Sequence, residues 1–163
     1  MPFNGFVKVT VNSNLVINDT LRDLLDAFER SVQANFANGN GLNQASNIYT
    51  ARRTLATGAN ENLDLSGVLT NPFGVSIALT KLKALILSAA SGNTTNLTVT
   101  RPASGAPFLL ASGDGFVLTP GGIFVLVDPS AAGIAVTAGT GDLINVANAA
   151  GASATYDAYI IGA

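Results

Sequence analysis

The chain contains no cysteine, no histidine and no tryptophan, and its single methionine is residue 1. Disulfides, thiolate nucleophiles, imidazole bases and the commonest zinc, copper and haem ligands are thereby excluded together. Charge is scarce as well: eight Lys and Arg and ten Asp and Glu among 163 residues give a net charge of −2, while the mean hydropathy is +0.40. A compact monomer of this mass exposes about 7,500 Å², and so few charges leave that surface thinly covered beside the roughly 25–35 % charged fraction of a well-solvated exterior. Either neutral polar and small residues fill the gap, or part of the surface is covered in an assembly. Scattered Lys and Arg give no footprint for nucleic acid. No apolar run reaches the roughly 20 residues that span a bilayer, and no basic-then-apolar secretory signal is visible. The sequons at Asn18, Asn93 and Asn96 then read as chance in an Asn/Thr-rich chain.

What is present is mostly β-like. Residues 6–17 alternate in part, with Val7, Val9 and Val11 against Phe6, Lys8 and Thr10, and Leu15-Val16-Ile17 follow a polar Asn12-Ser13-Asn14 break; this predicts one or two short strands. Leu21, Leu24, Leu25, Phe28 and Val32 fall at i, i+3, i+4, i+7 and i+11, which predicts one amphipathic helix. Asn18 or Asp19 would cap it, Asp19 and Asp23 would favour its positive end, and Arg22–Asp26 and Asp26–Arg30 would pair on its wet face. Asn38-Gly39-Asn40-Gly41 would end it. Residues 38–62 are polar and Gly/Asn-rich and are expected as an extended connector with one β-like stretch, Ile48-Tyr49-Thr50.

From Leu63 onward the composition changes. Turn signals at Asn71-Pro72, Gly92-Asn93, Pro102 to Pro107, Gly113-Asp114-Gly115, Pro120-Gly121-Gly122, Asp128-Pro129, Gly139-Thr140-Gly141 and Ala150-Gly151 separate short runs of Val, Ile, Leu and Phe. That spacing predicts a β-sandwich or barrel of about eight strands. The alternation in Phe73–Leu79 changes phase near Thr80, where a bulge, bend or break is expected. Ile123–Val127 is apolar throughout and predicts a strand covered on both faces; Ala154–Ile161 predicts a central strand or one lying against a neighbouring subunit. The organisation expected is an arm over residues 1–62 and a β-domain over 63–163.

Chemistry-bearing patterns are thin. Glu61 and Asp64 are neighbouring carboxylates in an Asn-rich stretch, where wet surface polarity is the expectation rather than acid–base work. Gly139-Thr140-Gly141-Asp142 lacks the Lys-Ser/Thr of a phosphate loop. Gly113-Asp114-Gly115 and Asp128 fall short of a calcium loop, and Arg52-Arg53 is too small for a nucleic-acid site. No catalytic, cofactor-binding or metal residue is assigned, and the chain is not expected to be an enzyme.

Six segments in order carry a resemblance: Asn62–Gly67 (NLDLSG), Phe73-Gly74, Leu82–Leu87 (LKALIL), Pro120–Pro129 (PGGIFVLVDP), Gly139–Asn145 (GTGDLIN) and Ala154–Gly162 (ATYDAYIIG). Together they resemble the capsid decoration (cement) proteins and related minor structural proteins of tailed bacteriophages, over roughly the last hundred residues. The resemblance implies a mainly β, jelly-roll-like sandwich that self-associates, commonly as trimers, over the joints between major capsid proteins. It also implies a place on the virion surface after synthesis in the bacterial cytoplasm, with no cofactor, no nucleic acid and no membrane. A tail, neck or fibre component is the second expectation, and a carbohydrate-binding sandwich the third; for the third only Tyr49, Tyr156 and Tyr159 could offer ring platforms beyond phenylalanine.

Overall fold

The computed structural model describes residues 2–18 and 23–163, and among these the chain is mainly β with no helix. The strands in chain order are β1 (Gly5–Asn18), β2 (Asp23–Asn38), β3 (Gln44–Ala45), β4 (Asn47–Leu55), β5 (Asn60–Asp64), β6 (Ser66–Thr70) and β7 (Ser76–Ala78). They continue with β8 (Lys81–Ala89), β9 (Leu97–Thr100), β10 (Gly115–Leu118), β11 (Ile123–Val127), β12 (Ile134–Ala135), β13 (Leu143–Asn148) and β14 (Ala154–Gly162).

Two antiparallel sheets enclose the main core. One runs β11-β8-β14-β4, with β12 also on β8; the other runs β10-β9-β13-β5. Alternation along each strand sends one set of side chains inward. Tyr49 and Leu55 of β4, Leu85 and Leu87 of β8, and Tyr156, Ala158 and Ile160 of β14 meet Leu63, Leu97, Val99, Ile144 and Val146 of the other sheet in one buried cluster. At one margin Phe116 of β10 stacks on Phe124 of β11, with ring centroids 4.3 Å apart. The sheets are open at β4, β5, β10 and β11.

β14 lies between β4 and β8, the central position its apolar sequence predicts. The phase change near Thr80 is a strand break between β7 and β8. Gly162 sits at an irregularity in the β14–β8 register, where a Cβ would come within 2.5 Å of the Lys81 carbonyl oxygen; only glycine permits that approach.

Three expectations are corrected. The helix is absent: Leu24, Leu25, Phe28 and Val32 belong to strand β2, while Leu21 of the stripe, the cap candidate Asp19 and the ion-pair candidate Arg22 lie outside the described residues. The sequence that reads i, i+3, i+4, i+7 also alternates at even positions through Phe28, Val32, Ala34 and Phe36. β1 supplies an antiparallel partner for every residue from Asp23 to Phe36, so pairing overrides a local period that fits both structures. The connector holds more strand than the one stretch expected: β4, which contains Ile48-Tyr49-Thr50, and β5, which starts within it and runs on to Asp64, each form an edge strand of one sheet. β11 is not covered on both faces; it is an edge strand with Ile123 and Val125 exposed.

Candidate interaction surface

Register decides the two faces of the β1–β2 ribbon. Val7 faces Ala34, Val9 faces Val32, Val11 faces Arg30, Ser13 faces Phe28 and Leu15 faces Asp26. Residues two apart share a face, so these pairs form one predominantly apolar side. The other side carries Phe6, Lys8, Thr10, Asn12, Asn14 and Val16 opposite Asn35, Gln33, Ser31, Glu29, Ala27 and Leu25, with the Thr10 and Ser31 hydroxyls 2.9 Å apart and exposed Phe6, Val16 and Leu25 only near its ends.

The ribbon is anchored at its base. Val7, Phe36 and Ala45 pack with Ala84 and Ile161, on the face of the β8–β14 sheet turned away from the main core, joined by Phe3, Ala34, Ile48 and Val127. Beyond the base, every described side chain in 8–16 and 25–33 is exposed. Along the apolar side exposure runs from 44 % at Val9 to 70 % at Val32, with Val11, Leu15 and Phe28 between. Where the ribbon leaves the body, Val7, Val9, Val32, Ala34, Val127 and Pro129 line an apolar groove of about 270 Å³. The whole chain exposes 8909 Å², some 1,400 Å² more than the about 7,500 Å² of a compact monomer of this mass, as a protruding ribbon requires.

Two further apolar surfaces are exposed. The outer face of the β8 sheet presents Ile123, Val125 and Tyr159 around Ile86, since Ile86 is paired with both Val125 and Tyr159. The β6–β7 hairpin presents Val68, Phe73 and Val75, its turn held by Asn71 Oδ1, which accepts from the Phe73 and Val75 amides at 3.0 Å each.

The polar residues singled out in the sequence are engaged in holding the fold. Glu61 and Asp64 occupy opposite faces of β5 and form no dyad. Glu61 accepts from Arg53 Nε at 2.7 Å and from the Tyr156 hydroxyl at 2.9 Å, while Arg53 also donates to the Tyr49 hydroxyl at 3.1 Å. Asp64 accepts from the Ser66 amide at 2.8 Å. The hydrogen bond to Glu61 holds Arg53 above its ordinary range; burial, then the phenol's own hydrogen bond to Glu61, pushes Tyr156 up. Asp142 closes the Gly139 turn by accepting from its amide at 2.6 Å, and Asp114 accepts from the Ala111 amide at 2.7 Å. Asp128 accepts from the Ser130 amide at 2.9 Å, and its hydrogen bonds with Ser130 hold its carboxyl below the usual range. Arg52 grips Asp157 through two 2.8 Å bonds across the β4–β14 pair, and that grip lowers the Asp157 carboxyl.

Three roles carried no sequence signal. Lys83 is fully buried and donates to the carbonyls of Gly41 and Ser130, so one ammonium ties two loops to β8; burial, then Lys81, depresses its pKa. Asn148 Nδ2 donates to the carbonyls of Leu55, Ala56 and Ala152, and its Oδ1 accepts from Thr95. Asn93 pairs with both backbone groups of Thr155 at 2.8 Å, extending the β8–β14 pairing beyond the end of β8. Among the described residues no three His, Cys, Asp or Glu side chains gather as a metal site would require, and no helix is long and apolar enough to cross a membrane.

No protein-family model matches the chain, and neither a curated protein nor a solved structure is detectably similar to it.

Proposed function

We propose that the protein is a structural component of a tailed-bacteriophage particle, a decoration protein that self-associates and binds at joints between major capsid proteins. The observation that carries this reading is the ribbon: a long two-stranded arm with an uncovered apolar side, rooted on a β body that presents further apolar surface. An isolated two-stranded ribbon is marginal in water, and a partner supplies the burial that it lacks. Contacts of this kind need shape, apolar area and backbone edges rather than pKa-tuned groups, and the reading assigns the chain no catalytic step and no cofactor.

The strand order supports the finer fold in this reading. Numbered in chain order, the strands of the two sheets read 1-8-3-6 and 2-7-4-5, with every neighbouring pair antiparallel. A jelly-roll sandwich alternates its strands between sheets in this way, and such a body offers flat faces and open edges for docking.

The test is co-sedimentation of the purified protein with undecorated phage capsids. Saturable binding at hundreds of copies per particle is expected. Binding at a few to a few dozen copies places the protein in a tail, neck or fibre instead, and no binding to any particle part overturns the reading.

A further inference from the structure

The apolar side of the ribbon has an arrangement that bears on which surface covers it. On β2, Asp26, Phe28 and Arg30 are consecutive residues of this side; on β1, the residues facing them are Leu15, Ser13 and Val11. Asp26 and Arg30 therefore flank Phe28 symmetrically, each about 7 Å from it along the strand.

Consider two ribbons packed side to side about a two-fold axis that lies in the contact plane, perpendicular to the strands, at the level of Phe28. Such an axis reverses strand direction and places each β2 over its counterpart. Asp26 of one copy then meets Arg30 of the other, twice. Leu15 meets Val11, twice. Phe28 meets Phe28, and the small Ser13 faces Ser13 beside the two rings. These three rows are matched: apolar on apolar, acid on base, serine on serine. A face meant for an unrelated apolar surface has no reason to hold one acid and one base, and the two charges would be left against hydrocarbon at a desolvation cost. An isologous contact requires a patch complementary to itself, and this one is.

The area is sufficient for a modest contact. The threshold at which specific interfaces begin, about 1,000 Å² in all, asks for about 500 Å² from each copy. That is also less than the excess surface the chain carries as a monomer.

We infer that the apolar side of the β1–β2 ribbon is a homotypic interface, pairing with the same side of a second copy of this chain through Phe28 and reciprocal Asp26–Arg30 ion pairs. The inference rests on the reading of the arm as an assembly element, but it does not depend on a capsid as the target.

The experiment is sedimentation velocity over a concentration series on the full chain, with Arg30→Asp, Asp26→Arg and the double reversal D26R/R30D. Each single reversal sets like charges face to face and should weaken association at least tenfold, halving the mass of the assembled species at a given concentration. The double reversal should restore association to within a few-fold. Both residues are exposed on the ribbon, so thermal midpoints at a dilution where all variants are dissociated should agree, which separates association from folding. A wild-type protein that stays monomeric at every concentration overturns the inference. So do single reversals without effect, or a double reversal that fails to restore association. Capsid co-sedimentation reads the other proposal: homotypic pairing without capsid binding retains this inference and sinks that one.

Discussion

The Tyr156 hydroxyl donates to Glu61 Oε1 at 2.9 Å while Arg53 holds the other oxygen of the same carboxylate. Tyr156 and Arg53 stand on one sheet and Glu61 on the other, so a single carboxylate bridges the two layers at their β4–β5 margin. Removing it strands two donors. Glu61→Ala should cost about 2–3 kcal/mol, with allowance for the partial exposure of Arg53; in a chain of this size that lowers the thermal midpoint by roughly 5–10 °C. Tyr156→Phe deletes one bond and should cost about 1 kcal/mol. Urea unfolding of both variants checks the order; equal losses would show that Arg53 contributes nothing through Glu61.

The same phenol sets an alkaline dependence. Its folded pKa is raised, by burial first and then by Glu61, above the ordinary value of 10.0. The neutral form is thus favoured by folding, so the stabilisation is complete below about pH 10 and is lost as pH rises beyond it, because only the unfolded chain ionises readily. Urea midpoints at pH 8, 10 and 11 should fall more steeply for the wild type than for Tyr156→Phe. Lys83 runs the other way: its folded pKa is depressed, so its burial becomes less costly as pH climbs toward 10.5. The comparison of wild type with Tyr156→Phe cancels that contribution.

How far the sequence revealed this protein depends on whether a residue's signal was local. Turn residues are local, and the strands between Leu63 and Gly162 are legible from them. The β1–β2 ribbon was not, because Leu24, Leu25, Phe28 and Val32 satisfy a helical period and the deciding fact is a cross-strand partner in β1. β4 was legible only over Ile48-Tyr49-Thr50, and its second half was hidden for a related reason. Its inward positions are Tyr49, Ala51, Arg53 and Leu55, and an arginine in that series reads as loop until Glu61 of the opposite sheet is known to neutralise it. Ile123–Val127 misled in the opposite sense: an all-apolar run reads as a covered strand, yet in β11 its outward residues belong to an exposed apolar face. The candidate surface was therefore legible only as a deficit of charge, without an address.

Asn148 offers a test of buried polar matching. It is 5 % exposed, and its Nδ2 donates to three carbonyls contributed by Leu55, Ala56 and Ala152. Asn148→Asp preserves shape and replaces the donor by an oxygen. At pH 8 the carboxylate would face those carbonyls with nothing to give, and the expected loss is about 3 kcal/mol or more. At pH 4 a protonated carboxyl recovers one donor, so the loss relative to wild type should shrink. Thermal unfolding of both proteins at the two pH values reads the difference; a loss independent of pH would show that shape, and not the donor, is what the site requires.

Two glycines separate close packing from chain entropy. At Gly162 a Cβ would lie 2.5 Å from the Lys81 carbonyl oxygen and 2.6 Å from Leu79 Cδ1, whereas at Gly92 it would meet nothing within 4 Å. The first obstacle is partly backbone, and that backbone is committed: the Lys81 carbonyl accepts from the Ala163 amide, and the Gly162 carbonyl accepts from the Ser46 amide. Gly162→Ala must therefore push β14 away from β8 at its last pairing, with an expected cost of about 1–3 kcal/mol. Gly92→Ala removes freedom only from the unfolded chain and should leave stability unchanged or raise it by a few tenths of a kcal/mol, up to about 1 kcal/mol. Chemical denaturation of the pair gives opposite signs if the close approach at the C-terminal end of β14 is what glycine is there for. A Gly162→Ala protein as stable as wild type would mean that β14 can slide at its bulge without loss.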